Sequence, residues 1–202
     1  KELWNKIVHN AWASAEPGLI FWDRMTETNN LEYKNPIVST NPCIIGSTLI
    51  AVADGRNAVS IKQLMEEGKD VPVYSTNLET GQVEIKWGRN ARKTGDNEEV
   101  WKLTLDDGST FIATPNHKVL LENLEYKELK DLQPGESIFS FNSNAIIFSF
   151  NSNAVISNHK VVSVEFVGYE GVYNITVDDN HNYHVITSNV DDKFITSSGI
   201  CV

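Results

Sequence analysis

CIIGSTLIAVADG, residues 43–55, places a thiol, Cys43, directly ahead of a strand-like run. Gly46 and two hydroxyl residues follow the thiol, then an apolar stretch, then an Asp54-Gly55 turn. The same texture continues beyond it. Short alternating or β-branched runs recur at 48–53, 71–76, 82–87, 99–105, 110–114, 137–141, 161–168, 171–177 and 182–187. Thr80-Gly81, Thr94-Gly95, Asp107-Gly108 and Pro134-Gly135 read as turns between them. One short helix is expected at 61–67, with Ser60 as N-cap and Gly68 as stop, and a further helical turn at 127–132. So many short strands predict an all-β domain, closed or strongly bent, with one or two short helices.

Ahead of Cys43 the composition differs. Residues 1–42 hold Trp4, Trp12 and Trp22 of the five tryptophans. Leu3, Trp4, Ile7, Val8, Ala11 and Trp12 recur at helical spacing, so residues 2–14 read as an amphipathic helix that Pro17-Gly18 ends. This segment is too short to bury its own apolar faces and reads as a piece of something larger. Near the other end, IFSFNSNA occurs at 138–145 and again at 147–154, which reads as a duplicated hairpin arm or loop.

The 202 residues carry a formal net charge of −10, which argues against a general nucleic-acid binder. No apolar run reaches the length of a membrane span and no signal-peptide pattern opens the chain, so a cytoplasmic location is expected. Two cysteines make no disulfide framework. Thiols in a reducing compartment raise the question of reactivity instead.

Three strings carry chemistry. Cys43 supplies a nucleophile, Thr114-Pro-Asn-His117 a turn histidine, and His181 sits in VYNITVDDNHNY, residues 172–183. A thiol that attacks a carbonyl, with a histidine to move the proton the leaving amine needs, is a set for acyl transfer. The nearest carbonyl is that of Pro42. A thiol–imidazole zinc site built from Cys43, His117, His181 and Cys201 is the rival, but no C-x-x-C or H-x-x-x-H spacing supports it. No metal and no cofactor are expected. His159 and His184 read as solvated.

In order along the chain, CIIGSTLI, FIATPNHKVLL, ELKDLQPGESI, VYNITVDDNHNYHVI and SSGICV resemble the successive sequence blocks of an intein, a member of the Hedgehog/intein (Hint) superfamily. The resemblance implies a horseshoe-like β fold over 43–202 and an autocatalytic splicing function. It implies that Cys43 attacks the Pro42 carbonyl in an N–S acyl shift, assisted by His117 and Thr114, with His181 serving later steps. It also implies that the two intein ends lie close together, which makes Cys201 a candidate redox partner of Cys43. Asn174 stands where the family often has Asp; it keeps hydrogen bonds but takes neither a proton nor a charge. The family ends in His-Asn followed by Cys, Ser or Thr, and aligning Gly199-Ile-Cys-Val202 with the last block puts the His-Asn just beyond Val202. From Cys43 to Val202 there is no room for an endonuclease, so a mini-intein is expected.

LWNKIVHNAWASAEPGLIFWDRM followed by STNPC resembles the catalytic chain of a ribonucleotide reductase. Residues 1–42 would then be a native N-extein, and the partners would be that segment and a C-extein, with the protein acting as a monomer. A Hedgehog-type autoprocessing domain, which passes the acyl group to another nucleophile, and a non-catalytic reductase fragment stay open as alternatives.

Overall fold

The computed structural model describes residues 42–142, 158–187 and 198–202. The helix expected at 2–14 and most of the nine-residue repeat lie outside the described residues. Thirteen strands are seen among the described residues: β1 (Ile44–Ile45), β2 (Leu49–Ala51), β3 (Ala58–Ser60), β4 (Val71–Thr76), β5 (Val83–Leu105), β6 (Thr110–Ala113), β7 (Lys118–Leu120), β8 (Tyr126–Glu128), β9 (Ser137–Ile138), β10 (Ser140–Asn142), β11 (His159–Val177), β12 (His184–Ile186) and β13 (Ser198–Cys201). A helix, α1 (Ile61–Glu67), follows β3.

The strands form a six-stranded sheet in the order β4-β5-β6-β1-β11-β9 and a five-stranded sheet in the order β10-β13-β12-β2-β3, with a small β7-β8 pair beside them. β5 and β11 also pair with each other along most of their length. Five register shifts interrupt that ladder. Each extra unpaired residue bends the strand and sharpens its twist, so the long ribbon curls instead of running flat. The core between the sheets is aliphatic, with Ile44, Ile50, Leu103, Val119, Ile138 and Ile200 fully buried.

The local signals for α1 are met one by one. Ser60 Oγ accepts a hydrogen bond from Gln63 N at 3.2 Å. Ile61 and Leu64, three apart, are buried against the sheets while the charged residues of the helix face water. Gly68 closes it in the left-handed conformation at φ 61°, which a side chain would disfavour.

Three expectations about the strands are corrected. Thr94-Gly95 is not a turn: the runs at 82–87 and 99–105 belong to one strand, β5, because β11 offers a partner through the polar stretch between them. The same pairing joins 161–168 and 171–177 into β11. The run at 137–141 instead divides at Phe139, its first part pairing with β11 and its second with β13, so the chain crosses from one sheet to the other there. The helical turn at 127–132 is a single 3-10 turn, Leu129–Asp131. Among the described residues no helix is long and apolar enough to cross a membrane.

Candidate active site

β1 is only two residues long, yet it sets the site. It lies between β6 and β11, with Ile44 opposite both Ala113 and Tyr173. Cys43 is thereby held beside the end of β6, which runs directly into Thr114, and Pro42 beside the stretch of β11 that carries Asn174. Pro42, His117, Asn174, His181, Tyr183 and Val202 line a common cleft of about 370 Å³.

Both sides of the Pro42–Cys43 peptide are gripped. Cys43 N donates to Thr114 Oγ1 at 3.0 Å, and the Cys43 carbonyl accepts from Thr114 N at 2.9 Å. On the acyl side, Asn174 Nδ2 donates to the Pro42 carbonyl oxygen at 3.1 Å. Asn174 Oδ1 accepts from Ile175 N at 2.7 Å, so the amide orientation is determined by its partners.

The Cys43 side chain is buried, 1% exposed, and Thr94 Oγ1 lies 3.0 Å from its sulfur. Burial raises the thiol pKa, the Thr94 hydroxyl pulls it down, Glu98 pushes it up and Arg92 lowers it. His117 closes the Thr114 turn with a hydrogen bond from its N to Thr114 O at 2.9 Å, and the edge of Phe111 packs on its ring. Its Nδ1 has no hydrogen-bond partner among the described residues. Burial drives the His117 pKa down to about 4, against an upward pull from the Cys43 backbone. At neutral pH the imidazole is therefore uncharged, and it is equipped to take a proton before it gives one.

His181 sits on the turn between β11 and β12 with φ 54°, exposed at the rim of the cleft. Asn182 fixes that turn. Its Oδ1 accepts from Ser75 Oγ at 2.9 Å and Thr76 N at 2.8 Å, and its Nδ2 donates to Thr76 O at 2.9 Å and Asn180 O at 3.2 Å. Tyr183 follows, buried, exchanging backbone hydrogen bonds of 3.0 and 2.9 Å with Val202. Burial raises its phenol pKa, with the Cys43 and Cys201 thiols adding to the rise.

Cys43, Thr114, His117, Asn174 and His181 thus come together around the Pro42 carbonyl or its cleft. Cys201 directly precedes Val202, which lines the cleft. It is fully buried on β13 opposite His184, and burial pushes its thiol up to about 12, with Thr76 pulling down. Neither cysteine is in a disulfide. Expectations for two histidines are corrected. His184 is fully buried, its Nε2 2.8 Å from Thr76 Oγ1, because β12 is covered on both faces. His159 is half-buried and pairs with Asp106 at 3.1 Å. Among the described residues the ligand-type cluster tight enough for a metal is Asp106, Asp107 and His159, not the cysteine–histidine set of the zinc reading.

Sequence reasoning missed Thr94 and Asn182. Thr94 carries no signal of its own inside a polar stretch. Asn182 carried one: an amide beside the Tyr183–Ile186 run needs buried partners.

A family model for the intein splicing domain matches residues 50–190, and one for the ribonucleotide reductase barrel domain matches residues 1–45. A DNA gyrase chain of Synechocystis sp. is 41% identical over 103 residues, 50% of this chain and 9% of that protein. The vitamin B12-dependent ribonucleoside-diphosphate reductase of Thermoplasma acidophilum is 25% identical over 146 residues, 70% of this chain and 19% of that protein. The chain therefore spans less than a fifth of the length of these two relatives. The crystal structure of a DnaB intein from Synechocystis sp. superposes with a TM-score of 0.62 at 26% identity, covering 80% of this chain and 99% of that one. With the splicing-domain match running through most of the chain and the fold shared with a solved intein, this chain belongs to the intein splicing domain family and is an autocatalytic protein-splicing element.

Proposed function

We propose that the Pro42–Cys43 peptide is the scissile bond, with residues 1–42 as N-extein and 43–202 as the splicing domain. The observation that carries this reading is the pair of contacts on that peptide: Asn174 Nδ2 on the Pro42 oxygen at 3.1 Å and Thr114 Oγ1 on the Cys43 nitrogen at 3.0 Å. The sulfur of Cys43 attacks the Pro42 carbonyl carbon. As the carbonyl oxygen gains charge, the Asn174 amide stabilises it, an effect worth roughly 3 kcal/mol for one such donor. Neutral His117 takes the thiol proton and delivers it to the Cys43 nitrogen. The C–N bond breaks, leaving a thioester on Cys43 and a free amine. Thr114 keeps that nitrogen turned toward the proton donor.

With a terminal His-Asn and a following Cys, Ser or Thr, the acyl group passes to the C-extein side chain and His181 assists Asn cyclisation. Each molecule acts once, since it consumes its own bond. The interrupted host is a ribonucleotide reductase chain, supported by the match over residues 1–45. The element works as a cytoplasmic monomer on its own flanking segments, without metal, cofactor, nucleic acid or membrane, in keeping with its acidic charge. It carries no endonuclease: the stretch between Asn142 and Asn158 is far shorter than a folding domain.

Incubation with dithiothreitol tests the reading by intact mass. Release of residues 1–42 is expected from the wild-type chain and not from Cys43→Ala. Equal release from both would overturn it.

A further inference from the structure

Thr94 is an extra residue in the β5–β11 ladder. Lys93 pairs with Tyr173 and Gly95 with Val172, so Thr94 faces no residue across the ladder. Such a bulge re-aims a side chain, and bulges recur beside active sites. Here the hydroxyl is aimed at the nucleophile: Thr94 Oγ1 is 3.0 Å from Cys43 Sγ and 3.2 Å from the Val172 carbonyl oxygen.

A hydroxyl carries one proton and serves one of these acceptors at a time. While the thiol is protonated, the carbonyl is the better acceptor, and the Thr94 oxygen is open to the S–H. Once the sulfur is a thiolate, a charge-assisted hydrogen bond outweighs the neutral one and the hydroxyl turns. We propose that Thr94 is a positioning residue for the first splicing step, its hydroxyl alternating between Val172 O and Cys43 Sγ so that the sulfur is held in place and stabilised as it ionises. The proposal rests on Cys43 being the nucleophile. No other reactant is needed: the thiol proton leaves through His117 to the Cys43 nitrogen, the S–C bond forms and the C–N bond breaks, while Thr94 keeps its own proton.

The other charged or titratable groups acting on this thiol are Arg92 and Glu98 on β5 and Tyr183 ahead of β12, while His117, on the turn after β6, meets the Cys43 backbone. All four remain in a Thr94 variant. Loss of the Thr94 bond alone should raise the apparent thiol pKa, because that hydroxyl is the strongest influence pulling it down.

The test measures dithiothreitol-dependent cleavage of the 202-residue chain against pH, each variant expressed relative to wild type. Thr94→Val should cleave about 10-fold more slowly below the thiol pKa, with the gap closing as pH rises. Thr94→Ser, which keeps the hydroxyl, should follow the wild-type profile. Thr94→Ala carries the same expectation as Thr94→Val if the latter does not fold. A wild-type rate without the hydroxyl overturns the proposal. So does a deficit constant across pH, which marks a displaced sulfur and nothing more. A wild-type chain that fails to cleave, or cleaves no faster than Cys43→Ala, overturns the assignment of Cys43 itself and the proposal with it.

Discussion

Asn174 and Pro42 are joined across the β1–β11 boundary by a 3.1 Å hydrogen bond from the asparagine amide to the proline carbonyl oxygen. The backbone N–H of Ile175 occupies the other end of the same amide at 2.7 Å. In the proposed first step, a donor held from behind in this way needs no reorganisation as the carbonyl oxygen gains charge. An amide donates at any pH, whereas a carboxylate at this position would have to be protonated to donate.

Removing that donor should be visible in the first step. Asn174→Ala is expected to slow dithiothreitol-dependent release of residues 1–42 by about 100-fold, the scale for a lost oxyanion donor. Asn174→Asp can donate only while its carboxyl is protonated, so its rate relative to wild type should fall as pH rises. A rate for Asn174→Ala within a few fold of wild type would reduce the contact to a structural one.

Two buried histidines predict an acid-sensitive fold. Burial holds His117 at about 4 and His184 at about 3, below the ordinary 6.5. The unfolded chain therefore binds protons at pH values where the folded chain does not. Their contribution is complete above about pH 6.5 and is lost as pH falls through the folded values. Each is worth on the order of 3–5 kcal/mol at the acid limit. Thermal melting from pH 8 to 4 should show a falling midpoint, and His184→Gln should reduce the slope. A flat profile between pH 7 and 4.5 would contradict the burial of both rings.

Gly199 permits β13 to approach β12. A Cβ at this position would collide with the Val185 carbonyl oxygen, a backbone atom that cannot step aside. Gly199→Ala should lower stability by about 2–4 kcal/mol, as overpacking against backbone does. Because β13 leads to Val202 in the cleft, steps at the C-terminal junction should suffer more than thiol-dependent cleavage at Cys43. Denaturant melts paired with both cleavage assays would show the split.

Asn182 and His181 are sequence neighbours with different expected roles, one in stability and one in the proposed C-terminal step. Asn182→Ala leaves the Thr76 N–H and carbonyl without their partner and should cost about 2–3 kcal/mol. His181→Ala should leave the release of residues 1–42 within a few fold of wild type. In a precursor with exteins on both sides, it should slow C-terminal cleavage by about 100-fold, as loss of a positioned acid–base group does. Equal loss at both junctions would show that His181 serves the cleft as a whole.

The legible part of the site was the part written in contiguous strings. Cys43, Thr114 and His117 stand in short segments whose local geometry is set by neighbours, a strand start and a turn closed by the His117 N–H. α1 was readable to the residue because Ser60 and Gly68 cap it through local hydrogen bonds. Thr94-Gly95 misled for the opposite reason. Its turn-forming preference is real but small, and pairing with a strand 78 residues away in sequence, at Val172, outweighs it. His184 misled because an alternating run does not say whether both of its faces will be covered.

Spacing, capping and side-chain chemistry within a few residues were enough for the β class, the capped helix, the candidate nucleophile and its turn histidine. They could not supply the reach of Asn174 to the Pro42 carbonyl, the bulge that turns Thr94 onto the Cys43 sulfur, or the uncharged state of His117 at neutral pH. Each of these depends on which strands lie side by side and how much water they exclude. Register and desolvation belong to the assembled sheets, not to any one segment of the chain.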